Sequence, residues 1–226
     1  MIALQNIQRT YTSDEIETAA LADINLQVAQ GEFVAIMGPS GCGKSTLLNI
    51  LGTIDRPTAG SYMFDGRDLA HEREAALAQH RAEKLGFVFQ SFNLIDELTI
   101  AENVELGLAY RKHGSGSRSS RINTAMDRVG IAHRARHYPH QLSGGQQQRA
   151  AIARAIVGDP SLILADEPTG NLDTDNSAQV MDILHKLHGE GATIIMVTHS
   201  PAQASLAQRR VDMLDGRIVP SAAQAI

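Results

Sequence analysis

The sequence predicts an α/β fold with a mostly parallel core sheet, an antiparallel β flank and an inserted α-helical subdomain. Three observations predict it. Short runs that are apolar throughout alternate with helical patterns, as in a parallel sheet covered on both faces. Residues 1–28 and 61–65 alternate apolar and polar positions instead, as an antiparallel sheet with one wet face does. Residues 91–155 read as mostly helical. The 226 residues are thus expected to form a single domain. Its core and β flank take residues 1–90 and 156–226, and its helical subdomain takes residues 91–155.

Taken in order, the buried-strand runs are residues 33–37, 86–89, 162–165 and 193–197. Helical patterns cover residues 45–51, 119–129, 146–157 and 176–187. Asp215-Gly216, between apolar residues 211–214 and 217–219, is a hairpin-turn dipeptide. The Gly/Ser-rich stretch 113–120 is expected to be a surface loop between two helices.

Composition excludes several classes. The longest apolar runs are short, such as Ile194 to Val197, so no membrane span is predicted. Residues 1–10 lack the apolar region of a signal peptide. Cys42 is the only cysteine, which excludes an internal disulfide and fits a reducing cytosol. A net charge of −5 argues against a nucleic-acid surface.

Gly38, Pro39, Ser40, Gly41, Cys42, Gly43, Lys44, Ser45 and Thr46 fit the pattern G-x-x-x-x-G-K-[ST], between a strand and a helix. Such glycines let backbone N–H groups curl round phosphate oxygens, and the following helix N-terminus adds positive potential. Lys44 supplies a point charge for the β and γ phosphates of a bound nucleotide, and Ser45 a hydroxyl for Mg²⁺. A Gly-rich turn that merely opens a helix is the simpler alternative.

A second run, residues 162–168, is an apolar strand ending in Asp166, Glu167 and Pro168. Acidic residues at the end of a parallel strand lie where such sheets bind ligands. Asp166 suits Mg²⁺, and Glu167 suits a base that deprotonates water attacking the γ phosphate. Taken alone, the pair reads equally well as solvated loop carboxylates. Further on, Ser143 and Gln146 have capping-box spacing, and Gly144 and Gly145 leave backbone amides open. That makes an exposed helix N-terminus, an anion site in principle and an ordinary cap in the simplest case.

The run Leu142-Ser143-Gly144-Gly145-Gln146-Gln147-Gln148-Arg149 resembles the signature motif of the ATP-binding cassette (ABC) ATPases, a branch of the P-loop NTPases. The motifs occur in that family's order over nearly the whole chain. The resemblance implies a head-to-tail dimer in which Ser143, Gly145 and Gln146 of one copy act in trans on the γ phosphate held by the other. It implies that Gln90 contacts Mg²⁺ and the attacking water. Asn171, Leu172 and Asp173 would form the loop that meets the opposite copy. His199 would contact the γ phosphate, and Tyr11 would stack on adenine, unless it simply packs in the β flank.

The flanking text is similar to the lipoprotein-releasing and macrolide-export group. Residues 89–94, 98–104, 165–173 and 47–52 carry that similarity. It implies a peripheral ATPase at the cytoplasmic face of the inner membrane, driving a separate membrane permease for export or mechanotransmission. A periplasmic adaptor is a candidate further partner, and nucleic acid is not expected. Phe92, Leu94 and Ile95 are candidates for a permease-docking groove, with core packing as the alternative. A cell-division ATPase that regulates a membrane partner without transport is the alternative function. A soluble ABC ATPase acting on DNA or ribosomes fits less well, since it usually has two cassettes or a coiled-coil insertion. His133, His137 and His140 have helical spacing for a metal, but Pro139 interrupts them and no cysteine or carboxylate joins. His185 and His188 lack a third ligand.

Overall fold

The computed structural model describes residues 1–13, 16–111 and 117–220. In chain order these form β1 (Ile2–Ser13), β2 (Ile16–Val28), β3 (Phe33–Met37), α1 (Lys44–Leu51), β4 (Ala59–Phe64) and β5 (Arg67–Asp68). Next come α2 (Glu74–Lys84), β6 (Leu85–Val88), α3 (Ile100–Glu105), α4 (Arg118–Arg128), α5 (Gly144–Ile156), β7 (Leu162–Asp166) and α6 (Thr174–Gly189). The described residues finish with β8 (Thr193–Val197), α7 (Pro201–Ala204), β9 (Arg209–Leu214) and β10 (Arg217–Val219). Two compact units result: Met1–Ala78 with Ile195–Ile226, and Gln79–Ile194. Their boundaries fall inside α2 and inside β8.

The first unit holds an antiparallel sheet of order β2-β1-β4-β5. Ile2 lies opposite Val28 on one side and Phe64 on the other, as the alternation at both places predicts. A strict period of two would turn Ile7 outward. Instead the register shifts between Leu4 and Ile7, with Asn6 at φ 50°, and Ile7 stays buried opposite Ile24. Gly60 covers this bulge, where a Cβ would lie 2.5 Å from the Asn6 carbonyl oxygen. The same unit contains a parallel pair, β3 with β9, and the β9–β10 hairpin. Asp215 and Gly216 both take positive φ, 46° and 72°, as a two-residue hairpin turn needs. Four apolar residues of α1 are buried, and the buried Tyr62 hydroxyl donates to Leu51 O at 2.7 Å, closing that helix.

The second unit contains the parallel pair β6 and β7. Gly86 lets β6 approach α5 closely, since a Cβ there would sit 2.5 Å from Ala155 O. Helices α3 and α4 also pack on α5. Between β6 and β7 the described residues contain helices and 3₁₀ turns and no strand. The predicted strand at 86–89 begins one residue earlier, and the predicted helix at 146–157 begins two residues earlier, at Gly144. Residues 113–116 of the Gly/Ser stretch lie outside the described residues. Its remaining part is not loop: Ser117 caps α4, and Arg118 begins the helix. Among the described residues no helix is long and apolar enough to cross a membrane.

Candidate functional site

In the first unit, β3 delivers Met37 into residues 38–46, and α1 begins at Lys44. Gly41 and Gly43 have φ of 80° and 100°, a geometry that turns successive amides inward. Gly38 and Gly43 are also sterically required. A Cβ on Gly38 would lie 2.3 Å from Met213 O, and one on Gly43 2.5 Å from Ala20 O. A Cβ on Gly41 would meet nothing, so this loop is walled on one side and open on the other. The wall is hydrogen-bonded too: Gly216 N donates to Cys42 O (3.1 Å), and Ala22 N to Gly216 O (2.8 Å).

Lys44 is buried. Its Nζ donates to Gly38 O (2.9 Å) and Pro39 O (2.8 Å), with Cys42 Sγ at 3.9 Å. A buried ammonium among neutral partners favours an anion beside it. The exposed residues Pro39, Ser40, Gly41 and Ser45 leave the loop accessible, and Cys42 fills it from behind. The loop therefore fits a polyphosphate. His199 follows β8, and Thr198 N donates to Ile36 O (3.1 Å), so His199 leaves its strand beside β3. Tyr11 lies on β1, 40% exposed. Thr46 is half-buried in the first turn of α1.

In the second unit, β7 ends at Asp166, and Glu167 takes φ 43°. That conformation is uncommon outside glycine and aims the carboxylate differently from a continued strand. Gly170 N returns to Glu167 O at 2.9 Å, closing the turn. Gln90 meets this loop: its Nε2 donates to Asn171 Oδ1, and Asn171 Nδ2 donates to Gln90 O, both at 3.1 Å. Gly170 makes room for it, since a Cβ there would lie 2.7 Å from Gln90 Nε2.

The signature run forms the expected capping box. Gln146 N donates to Ser143 Oγ (3.3 Å), and Ser143 N to Gln146 Oε1 (3.1 Å). Gly145 has a further reason to be glycine. A Cβ there would lie 1.9 Å from Asn176 Oδ1 in α6. Asn176 is itself held by the cap of that helix, donating from N (2.8 Å) and Nδ2 to Asp173. These hydrogen bonds, led by the Asn176 amide, keep the Asp173 carboxylate below its usual range.

Four residues make supporting contacts that the sequence alone does not reveal. Gln148 is fully buried on α5, and its Nε2 donates to Pro168 O (2.6 Å) and Phe89 O (3.3 Å). Arg154 donates to Asn93 O and, at 2.8 Å, to Phe92 O. Both acceptors have positive φ, 60° at Phe92 and 52° at Asn93. Asn103 donates to the carbonyls of Ile95, Leu98 and Thr99 and accepts from Ile95 N at 2.7 Å. Asn176 is the fourth. The only sequence signal was a polar residue on an otherwise apolar helix face, as at Gln148 between buried Gly145 and Ile152. Phe92 and Leu94 are half-buried, and Ile95 is 42% exposed. The histidines at 133, 137 and 140 lie in and around two 3₁₀ turns, not along one helix. His137 faces Arg134, and His140 stacks on Tyr138.

The family model described as ABC transporter matches residues 21–170. The chain belongs to the ABC transporter ATP-binding family, and its fold is that of an ABC ATPase cassette. It is 48% identical over 221 residues to the uncharacterized ABC transporter ATP-binding protein YknY of Bacillus subtilis, covering 98% of this chain and 96% of that one. It is 49% identical to the macrolide export ATP-binding/permease protein MacB 1/2 of Paracoccus denitrificans, over 97% of this chain but 33% of that longer protein. Among solved structures, the dimeric post-hydrolysis state of the ATP-binding cassette MJ0796 bound to ADP and Pi superposes with a TM-score of 0.90. That pair is 43% identical, with 97% of each chain covered.

Proposed function

We propose that this chain is the ATP-hydrolysing subunit of a membrane transporter, that two copies close on ATP, and that a separate permease takes up the motion. The observation that carries the nucleotide reading is Lys44, a buried cation with neutral partners in a loop of positive-φ glycines. The dimeric MJ0796 structure supports pairing, and the MacB relative, described as ATP-binding and permease in one, supports a permease partner.

In this reading Lys44 and the amides of residues 38–46 hold the β and γ phosphates. Ser45, Gln90 and Asp166 are the residues proposed to hold Mg²⁺, which supplies charge neutralisation at those phosphates. Glu167 accepts the proton of the attacking water, and His199 orients the γ phosphate. Ser143, Gly145 and Gln146 act on the nucleotide of the second copy, so two sites form per dimer. Tyr11 stacks on the base. Phe92, Leu94 and Ile95 line the permease-docking groove, at the cytoplasmic face of the membrane. A periplasmic adaptor is the further component that an export system of this kind would use.

The test is Glu167→Gln. It should keep ATP binding, slow hydrolysis by at least about a hundredfold and accumulate a dimer with ATP. Sizing in ATP and a phosphate-release assay read both effects. A variant that hydrolyses at the wild-type rate, or stays monomeric where the wild type dimerises, would overturn the reading.

A further inference from the structure

Tyr11 is not a free ring on a strand. Its hydroxyl donates to Asp55 Oδ2 at 2.7 Å. The same oxygen accepts from Arg9 Nε at 2.9 Å. Arg9 then lies over the ring, with Cζ 4.3 Å from the centroid. That distance is within cation–π range, and Trp and Tyr are the preferred ring types. One face of Tyr11 is thus occupied by a guanidinium, and the tip of the ring is tethered.

The anchor beneath is fixed in turn. Asp55 Oδ1 accepts from Arg56 N at 2.7 Å. Asp55 N donates to Asn49 O (3.2 Å), inside α1. Thr10 N donates to Thr58 Oγ1 (3.1 Å), and Thr58 N to Gln8 O (2.7 Å), tying β1 to the same segment. Partial burial alone would raise the Asp55 carboxyl, but bonds from Tyr11, the Arg56 amide and Arg9 hold it below its usual range. It therefore stays an anion under ordinary conditions. Since α1 begins at Lys44, the Tyr11 ring and the phosphate loop are attached to opposite ends of one short helix, about 12 Å long at 1.5 Å per residue.

We propose that Arg9 and Asp55 are positioning residues that make Tyr11 a one-faced platform for the nucleotide base, set at a fixed reach from the phosphate loop. This rests on the reading of Tyr11 as the base-stacking residue. Arg9 covers the rear face, so a base stacks on the front. Stacking tolerates any base but grows with its aromatic area, so purines exceed pyrimidines. The guanidinium also draws π density from the ring, which favours an electron-rich purine opposite it. Neither residue contacts the phosphates in this account.

Binding of ATP and of inorganic tripolyphosphate, each with Mg²⁺, to the full chain separates the possibilities. Asp55→Ala and Arg9→Met should weaken ATP about three- to tenfold, equivalent to losing one exposed cation–π contact or charged hydrogen bond. Asp55→Asn should recover most of the loss, and tripolyphosphate affinity should stay unchanged throughout. Tyr11→Phe keeps the ring and removes only the tether, so it serves where Asp55→Ala folds poorly. It should also weaken ATP and spare tripolyphosphate. If Tyr11→Ala weakens ATP while Asp55→Ala, Arg9→Met and Tyr11→Phe bind it like wild type, the clamp is wrong and the stacking reading stands. If Tyr11→Ala itself binds ATP like wild type, the stacking reading fails and the clamp falls with it. Equal weakening of tripolyphosphate would place the effect in the phosphate loop and overturn the proposal.

Discussion

Gln148 and Pro168 are joined by a 2.6 Å hydrogen bond, from the Nε2 of a fully buried glutamine to the carbonyl next to Glu167. The same Nε2 reaches Phe89 O, the carbonyl before Gln90. One side chain of the signature helix therefore grips both the acidic turn and the Gln90 turn. Its Oε1 has no partner within the described residues, so the amide is committed to these two acceptors.

Replacing it tests whether that grip matters for turnover. Gln148→Leu fills similar space but leaves both carbonyls without this donor, at about 1–3 kcal/mol each in lost pairing. We expect ATP affinity within about twofold of wild type and a kcat at least about tenfold lower, a split that steady-state kinetics resolves. An unchanged kcat in a folded variant would make the residue structural only.

Gly145 and Asn176 give a cleaner steric test. Gly145→Ala places a methyl where Asn176 Oδ1 now lies, so Asn176 must leave and the cap at Asp173 loosens. The expected loss is about 1–2 kcal/mol, or roughly 2–8 °C in Tm for a chain of this size. Adding Asn176→Ala should then cost much less than it does alone. Strict additivity in the double-mutant cycle would refute the contact.

Acid should weaken the fold through the same cap. The Asp173 carboxyl is lowered in the folded chain by its bonds from Asn176. A group lowered on folding contributes fully above its unfolded value, about 3.9 for Asp, and loses that contribution as pH falls through its folded value. Urea midpoints measured from pH 6 downward should therefore fall less steeply for Asp173→Asn than for wild type. Identical slopes would show that this carboxylate is not coupled to folding.

The motifs that were legible are contiguous strings whose spacing has a direct backbone consequence. Residues 38–46 announce a loop because Gly38, Gly43 and Lys44 stand at fixed steps between a strand and a helix, and Ser143 announces a cap because Gln146 follows three residues later. The two-residue turn at Asp215-Gly216 was legible for the same reason. The supports of the site were not, because their partners are remote in sequence: Gln148 bonds a carbonyl 59 residues away, and Arg9 a carboxylate 46 away. A polar residue inside a helix looks the same in sequence whether it faces water or a carbonyl. Asn103 shows the difficulty. In sequence it is one letter of a resembling string, yet it is fully buried and holds the carbonyls of three loop residues. Helix α2 carries little sequence signal because its apolar content is mostly alanine, with Leu77 the one large apolar residue it buries.

Gly216 closes the wall behind the phosphate loop by bonding Cys42 and Ala22, and Met213 presses on Gly38. A chain emerging from the ribosome exposes residues 38–46 before residues 213–216, and lacks that wall until the latter are out. The loop is therefore made well before the residues that shape it. A stalled nascent chain ending before the β9–β10 hairpin would carry every letter of the G-x-x-x-x-G-K-[ST] pattern without the contacts that back it.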